Sequence, residues 1–313
     1  MTETASTREV AGRTLVELGR EHPDLVVLGG DLNKSTFANL FGAAYPDRFF
    51  DFGPAEQNIV SVAAGMAASG KVSVVSTFAV FSTARPYDQL RVGVSQPNLN
   101  VKMVATHAGI ITGEDGMSAH AIEDVAIMCA LPNMRVIVPA DAVETAQVMR
   151  VVVERQGPFY VRLSRPATPV IHDNGFTFTL GKAERVREGG DVTVVACGIM
   201  VNTALEAAEA LAGEGVQCRV LNMATVKPLD EDAVVSAALE TGAVVTAEEH
   251  YVNGGLGSLV SQVLSTKAPV PVESVALRGY AESGTADELL KKYHLSAGDV
   301  EDAVRKVVRR KDG

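Results

Sequence analysis

Along the chain, short runs of apolar, β-branched residues alternate with stretches whose apolar positions recur at helical spacing. "LVVLGG" (25–30), "VSVVSTF" (72–78), "VKMVATH" (101–107), "RVIVPA" (135–140) and "FYVRLS" (159–164) read as strands, with helices between them at 8–20, 54–69, 120–130 and 141–155. Near-continuous apolar strands separated by amphipathic helices predict a mostly parallel sheet covered on both faces. The pattern breaks at "SRPATPVIHDNGF" (164–176), rich in Pro, Asn, Asp and Gly. It resumes with strands at "VTVVACG" (192–198), "CRVLN" (218–222), "AVVTAE" (243–248) and "VPVESVAL" (270–277). The expected fold class is α/β, with two doubly wound domains at 1–166 and 181–313 joined by a linker at 167–180.

Composition narrows the function classes. The 313 residues are 47% hydrophobic and 21% charged, which fits two domains with real cores and excludes a disordered chain. A net charge of −10 argues against a general nucleic-acid binder, which would show a basic face. Three cysteines, Cys129, Cys197 and Cys218, match no metal spacing and read as reduced, mostly buried thiols. The start "MTETASTREV" lacks the features of a signal peptide, and no apolar run reaches the ~20 residues needed to span a bilayer. A soluble, cytoplasmic protein is expected.

Two nucleotide-like signals fail on context. "GMAASGKV" (65–72) ends in Val72 rather than Ser or Thr and runs from helix into strand, the reverse of a phosphate loop. Gly70 reads better as a helix C-cap. "GGLGS" (254–258) lacks the dinucleotide spacing and reads as a tight turn before a helix.

The informative residues collect where strands end. In open α/β sheets ligands bind at the carboxyl ends of the strands. Asp31 follows the first strand, Phe78 and Phe81 the second, His107 the third and Arg165 the fifth. Each has an ordinary explanation as a turn aspartate, a core aromatic, a satisfied histidine or a surface arginine. Five on one sheet edge point to a site. The second domain offers only "AEEH" (247–250). Glu56, in "DFGPAEQNIV" (51–60), heads an otherwise small, apolar helical run. Pro54 reads as a first helical residue, so Glu56 alone fits helix capping.

The same segments carry a resemblance. "GGDL" (29–32), "GPAEQNIVSVAAGMA" (53–67), "STFAVF" (76–81), "THAGIITGEDG" (106–116), "ALPNMRVIVPAD" (130–141) and "VRLSRP" (161–166) resemble the pyrimidine-binding domain of transketolases. "VKPLD" (226–230) and "EEHYVNGGLGS" (248–258) resemble their C-terminal domain. The G-D-G…N signature of the family's diphosphate-binding domain is missing, since "GEDG" (113–116) lies inside the pyrimidine-type domain. The chain thus looks like the C-terminal half of a split transketolase. The resemblance implies a separate N-terminal subunit, an α2β2 heterotetramer with this chain at its centre, and thiamine diphosphate shared between subunits. Magnesium or calcium would sit mainly on the partner.

Residue roles follow from the resemblance. The acid matching Glu56 hydrogen-bonds a ring nitrogen of the aminopyrimidine and favours the imino tautomer that removes the thiazolium C2 proton. Phe81 stacks on the pyrimidine with Phe78 behind it, and Asp31 and Leu32 sit beside the thiazolium. His107 and Asp115 match residues that bind sugar hydroxyls. Arg8, Ser35 and Arg165 match a sugar-phosphate clamp.

One departure stands out. Where transketolases read D-G-x-[ST]-H-Q, this chain reads "DGMSAH" (115–120), placing Ala119 at the substrate histidine and His120 one position later. A one-residue slip turns a helical side chain by roughly 100°. Either the loop repositions His120, or the enzyme works without that histidine, with an altered donor or acceptor or with weakened activity; the register leans to the second. Four other readings stay open: transfer to an unusual acceptor in a specialised pathway, a 2-oxoacid dehydrogenase beta subunit, a deoxyxylulose-phosphate synthase-like activity, and a non-catalytic scaffold.

Overall fold

The computed structural model describes residues 3–173 and 175–312. The first sheet has seven strands, in the order Thr225–Lys227, Arg135–Ile137, Phe159–Arg162, Val101–Thr106, Val72–Phe78, Leu25–Gly29 and Phe49–Asp51. All neighbours run parallel except Thr225–Lys227, which is antiparallel to Arg135–Ile137. The second sheet has five strands, in the order Val272–Leu277, Val244–Tyr251, Val192–Ala196, Cys218–Asn222 and Glu184–Arg187. It too is parallel apart from an antiparallel edge strand, Glu184–Arg187.

Alternation along the buried strands explains why helices cover both faces of the first sheet. Val27, Val74 and Val104 point to the side of Leu15, Leu18 and Val152, which belong to the helices Thr7–Glu21 and Ala142–Glu154. Val26, Leu28 and Val75 point the other way, to Ile59, Val60 and Ala63 of the helix Glu56–Ala68. Successive strand side chains face opposite sides, so each strand serves two cores and must be apolar throughout. The second of these cores continues into the second sheet through Cys197, Leu221 and Val244.

Two local expectations are corrected, and one unforeseen strand is added. The helix read from Pro54 begins at Glu56, with Ala55 as its N-cap; Pro54 lies just outside. The segment read as a linker is packed. Thr168–Pro169 pairs with Thr4–Ala5, and Asp141 accepts hydrogen bonds from the backbone N–H groups of Ile171 and His172. Finally, Thr225–Lys227 leaves the second half to close the edge of the first sheet, where an unpaired row of N–H and C=O groups would otherwise face solvent. "GGLGS" behaves as expected, turning into the helix Leu256–Lys267. Cys197 and Cys218 are buried and Cys129 partly so, all as free thiols. No helix among the described residues is long and apolar enough to cross a membrane.

Candidate active site

Four adjacent parallel strands, Phe159–Arg162, Val101–Thr106, Val72–Phe78 and Leu25–Gly29, end on the same side of the first sheet. Arg165, His107, Phe78 with Phe81, and Asp31 with Leu32 follow those ends. The neighbouring strand Phe49–Asp51 delivers Glu56 through a short loop, placing the acid at the first helical position of Glu56–Ala68. Parallel pairing aligns the strand ends, so residues scattered over 130 positions of sequence converge on one edge.

Glu56 is only 5% exposed and, among the described residues, has one charged partner: Arg85 donates from Nη1 to Oε1 at 2.7 Å. The Arg85 guanidinium lies 3.9 Å over the centre of the Phe81 ring. Phe81 is near-parallel to Phe78 at 5.8 Å, and Phe78 in turn stacks on the His107 ring at 3.6 Å. Phe81 lies within the short helix Ala79–Ala84 and Arg85 caps its C-terminal end four residues later, a spacing that puts both on one face. The result is a layered set of planar groups ending beside a buried carboxylate. A planar hydrogen-bond donor fits between the Phe81 face and Glu56, since the guanidinium does so here.

His107 adopts a left-handed backbone, φ 57°, which a non-glycine residue takes only against steric cost. The stack on Phe78 and a 2.8 Å contact between its Nδ1 and Thr106 Oγ1 hold it there. Burial, with Arg8 and Arg165 nearby, pulls its pKa down to about 3, so the ring is neutral at physiological pH. Arg8 donates to the carbonyls of Ser35 (2.5 Å) and Arg165 (2.8 Å), which draws the three residues of the expected clamp together. Arg165 donates to Thr112 O and to the exposed carboxylate of Glu114, at 2.9 Å. Glu114 is held below its usual pKa by a bond to its own backbone N–H and by Arg165.

The remaining expected residues divide. Asp31 and Asp115 are exposed and Leu32 half-buried, with no side-chain bond to the others. His120 turns inward. It is 2% exposed, with Nε2 2.9 Å from the carbonyl of Gly113. It braces the loop Ile110–Asp115 at Gly113, whose φ of 78° marks the kink. Burial lowers its pKa.

Other contributors escaped the sequence reading. Arg85 carried one signal, its four-residue spacing from Phe81. Glu114 was visible only as part of "GEDG". Beneath the loop, Glu249 accepts from Ile111 N at 2.8 Å, and a side chain on Gly109 (φ 75°) would run into its carboxylate. Arg162 bonds Asp124 at 2.8 Å and the carbonyls of Ala121 and Glu249, while Tyr160 bonds the same Asp124 oxygen at 2.5 Å. Burial pushes Glu249 up to about 7, with Arg162 opposing. A charged residue inside an apolar strand, Arg162 in "FYVRLS", was the available hint.

Comparison with known proteins gives this geometry a family. Residues 3–170 match the family description "Transketolase, pyrimidine binding domain", and residues 181–300 match "Transketolase, C-terminal domain". The chain belongs to the transketolase family. It is 42% identical to a protein described as a transketolase C-terminal section from Methanocaldococcus jannaschii, over 94% of this chain and 93% of that one. It is also 42% identical to the 6-deoxy-6-sulfo-D-fructose transketolase subunit SqwH of a Clostridium species, over 95% of this chain and 93% of the relative. Among solved structures, a split-gene transketolase described as an inactive beta4 tetramer superposes with a TM-score of 0.92 at 48% identity, covering 98% and 99% of the two chains. The α/β transketolase fold and the resemblance to a split-gene C-terminal section are thereby borne out.

Proposed function

We propose that this chain is the C-terminal subunit of a split transketolase. It holds the aminopyrimidine half of thiamine diphosphate and, with an N-terminal partner in the cytoplasm, transfers a two-carbon ketol unit between sugar phosphates. The observation that carries the reading is the buried Glu56 carboxylate set beside the Phe81 face, with room between them for one planar hydrogen-bonding group. The chemistry that bound thiamine diphosphate supplies is a carbanion equivalent able to break the bond next to a ketose carbonyl. Glu56 would share a proton with a pyrimidine ring nitrogen through Oε1, while Phe81, backed by Phe78, fixes the ring's plane. Asp31 and Leu32 would border the thiazolium.

The substrate end follows from charge. Neutral His107 can donate or accept toward sugar hydroxyls, and Asp115 can accept from them. Arg8 and Arg165, with Ser35, form a cationic corner suited to a tetrahedral anion. His120, tied to Gly113, does not stand in for the histidine replaced by Ala119. That gap, together with the sulfo-fructose relative, supports a second reading in which the sugar carries a sulfonate. An arginine corner accepts either anion.

Assembly follows from what the chain would leave to a partner, namely the diphosphate and its magnesium or calcium. The inactive tetramer of the split-gene relative supports a need for that partner, and an α2β2 complex is the expected form. Affinity capture of the tagged chain from its native lysate tests this, with native mass and bound thiamine diphosphate measured on the eluate. A second chain at near-equal stoichiometry, cofactor, and ketol transfer from a ketose phosphate are expected. A lone oligomer that binds no cofactor, even with added thiamine diphosphate and magnesium, would leave only a scaffold.

A further inference from the structure

We propose that Arg85 is a placeholder for the cofactor's pyrimidine ring, which must displace it to bind; this rests on the thiamine diphosphate reading above. The guanidinium reproduces the two contacts expected of that ring. It is flat, it lies 3.9 Å over the Phe81 ring, and it bonds Glu56 Oε1 at 2.7 Å. One ring face and one buried carboxylate oxygen cannot serve two planar groups at once. Arg85 is also built to leave. Its side chain is 45% exposed against 6% for Glu56, and among the described residues its only side-chain hydrogen bond is the one to Glu56, so it can swing into water along a flexible stem. Glu56 cannot follow, because its Cα is fixed at the start of a helix whose next turns are packed in the core.

The placeholder has a physical purpose. A buried carboxylate without a partner is costly, and an aromatic face without cover leaves apolar surface in water. Arg85 meets both needs in the cofactor-free chain. The consequence is competition: the ion pair and the cation–π contact oppose cofactor binding by whatever they contribute to the free protein.

Calorimetric titration of thiamine diphosphate with magnesium into the partner-bound complex, and into the full chain alone, tests this with Arg85→Met and Arg85→Lys beside the wild type. Arg85→Met should bind about three- to tenfold tighter, the change expected from losing one part-exposed ion pair and one cation–π contact. Its cofactor-free melting temperature should fall, and the gap to wild type should close at saturation. Arg85→Lys keeps a charge for Glu56 without the flat face and should lie between; it carries the test if Arg85→Met does not fold. Unchanged or weaker binding by the variants, with the melting gap persisting at saturation, would make Arg85 an ordinary structural arginine and overturn the proposal. Failure of every form, wild type included, to bind in either setting would instead remove the thiamine diphosphate reading and the placeholder with it.

Discussion

The two sheets share an architecture and differ in how the polar groups at their carboxyl ends are bonded. In the second sheet, Glu248, Glu249 and His250 close the strand Val244–Tyr251 and are all buried. Each is tied to main chain: Glu248 accepts from Leu256 N and Gly257 N, Glu249 from Ile111 N, and His250 Nε2 from Ala126 N. In the first sheet Arg8 also bonds main-chain carbonyls, but two charged groups are paired with exposed side chains. Glu56 holds Arg85, and Arg165 holds Glu114. Backbone donors cannot leave, whereas side-chain counter-ions can be exchanged for a ligand. On the proposed reading, exchangeable partners rather than strand ends alone mark the site.

The largest effect tests the catalytic half of that contrast. Glu56→Gln keeps the size and a hydrogen bond but removes the acid. Ketol transfer by the partner-bound complex should fall by roughly 10²–10⁴-fold, the range for losing a general acid–base group. Melting temperature should change little. Activity at the wild-type level would mean that the first sheet's edge is as structural as the second's.

Much of this contrast was legible in sequence, and the reasons differ by element. The strands Val72–Phe78 and Cys218–Asn222 coincide with the predicted runs, because a parallel strand buried on both faces must be apolar from end to end. Thr225–Lys227 could not be read, since three residues carry no period and their pairing is set by a strand some ninety positions away. Asp31, Phe78, Phe81, His107 and Arg165 stood out by position at strand ends and Glu56 as an acid heading an apolar helical run, while the resemblance supplied their expected roles. Arg85 and Glu114 did not stand out, because a surface charge looks the same in sequence whether or not it faces a partner. The slip from Ala119 to His120 was visible, yet only the structure shows His120 bonded to Gly113.

A second experiment attacks the structural half. Glu249→Ala leaves Ile111 N without its acceptor and takes an anion from the buried Arg162 cluster. Denaturant unfolding should lose about 3 kcal/mol, the range for breaking a buried ion pair from one side. Glu249→Gln, which keeps an acceptor, should lose less. A loss near zero would show that the second sheet's acids are not needed for the fold, and the contrast would fail there.

The segment between the sheets joins the two regimes. His172 lies 3.0 Å from Asp141 of the first half and 2.8 Å from Glu184 of the second, and these partners lift its pKa to about 10 against the burial that opposes them. A histidine whose folded pKa stands above its unfolded value adds stability that is complete below about pH 6.5 and fades as pH rises through the folded pKa. His172→Gln should therefore unfold about 2 kcal/mol more easily than wild type at pH 6, with the gap shrinking toward pH 10. Comparing the two proteins at each pH removes the opposing titration of Lys102, whose burial brings its pKa down to about 7. A gap independent of pH would assign His172 a packing role only.

The smallest effect asks whether the second exchangeable pair behaves like the first. Glu114 is fully exposed and shares Arg165 with the carbonyl of Thr112, so its removal leaves the arginine one fixed acceptor and one free face. If Arg165 grips the substrate anion, the carboxylate competes with that anion for the guanidinium. Glu114→Gln should then lower KM for a phosphorylated donor about two- to threefold with kcat unchanged, as expected for one exposed ion pair. The difference should vanish in high salt, where exposed charges are screened. A raised KM would mean that Glu114 orients Arg165 rather than competing for it, so that only the Glu56–Arg85 pair at this edge is exchanged for ligand.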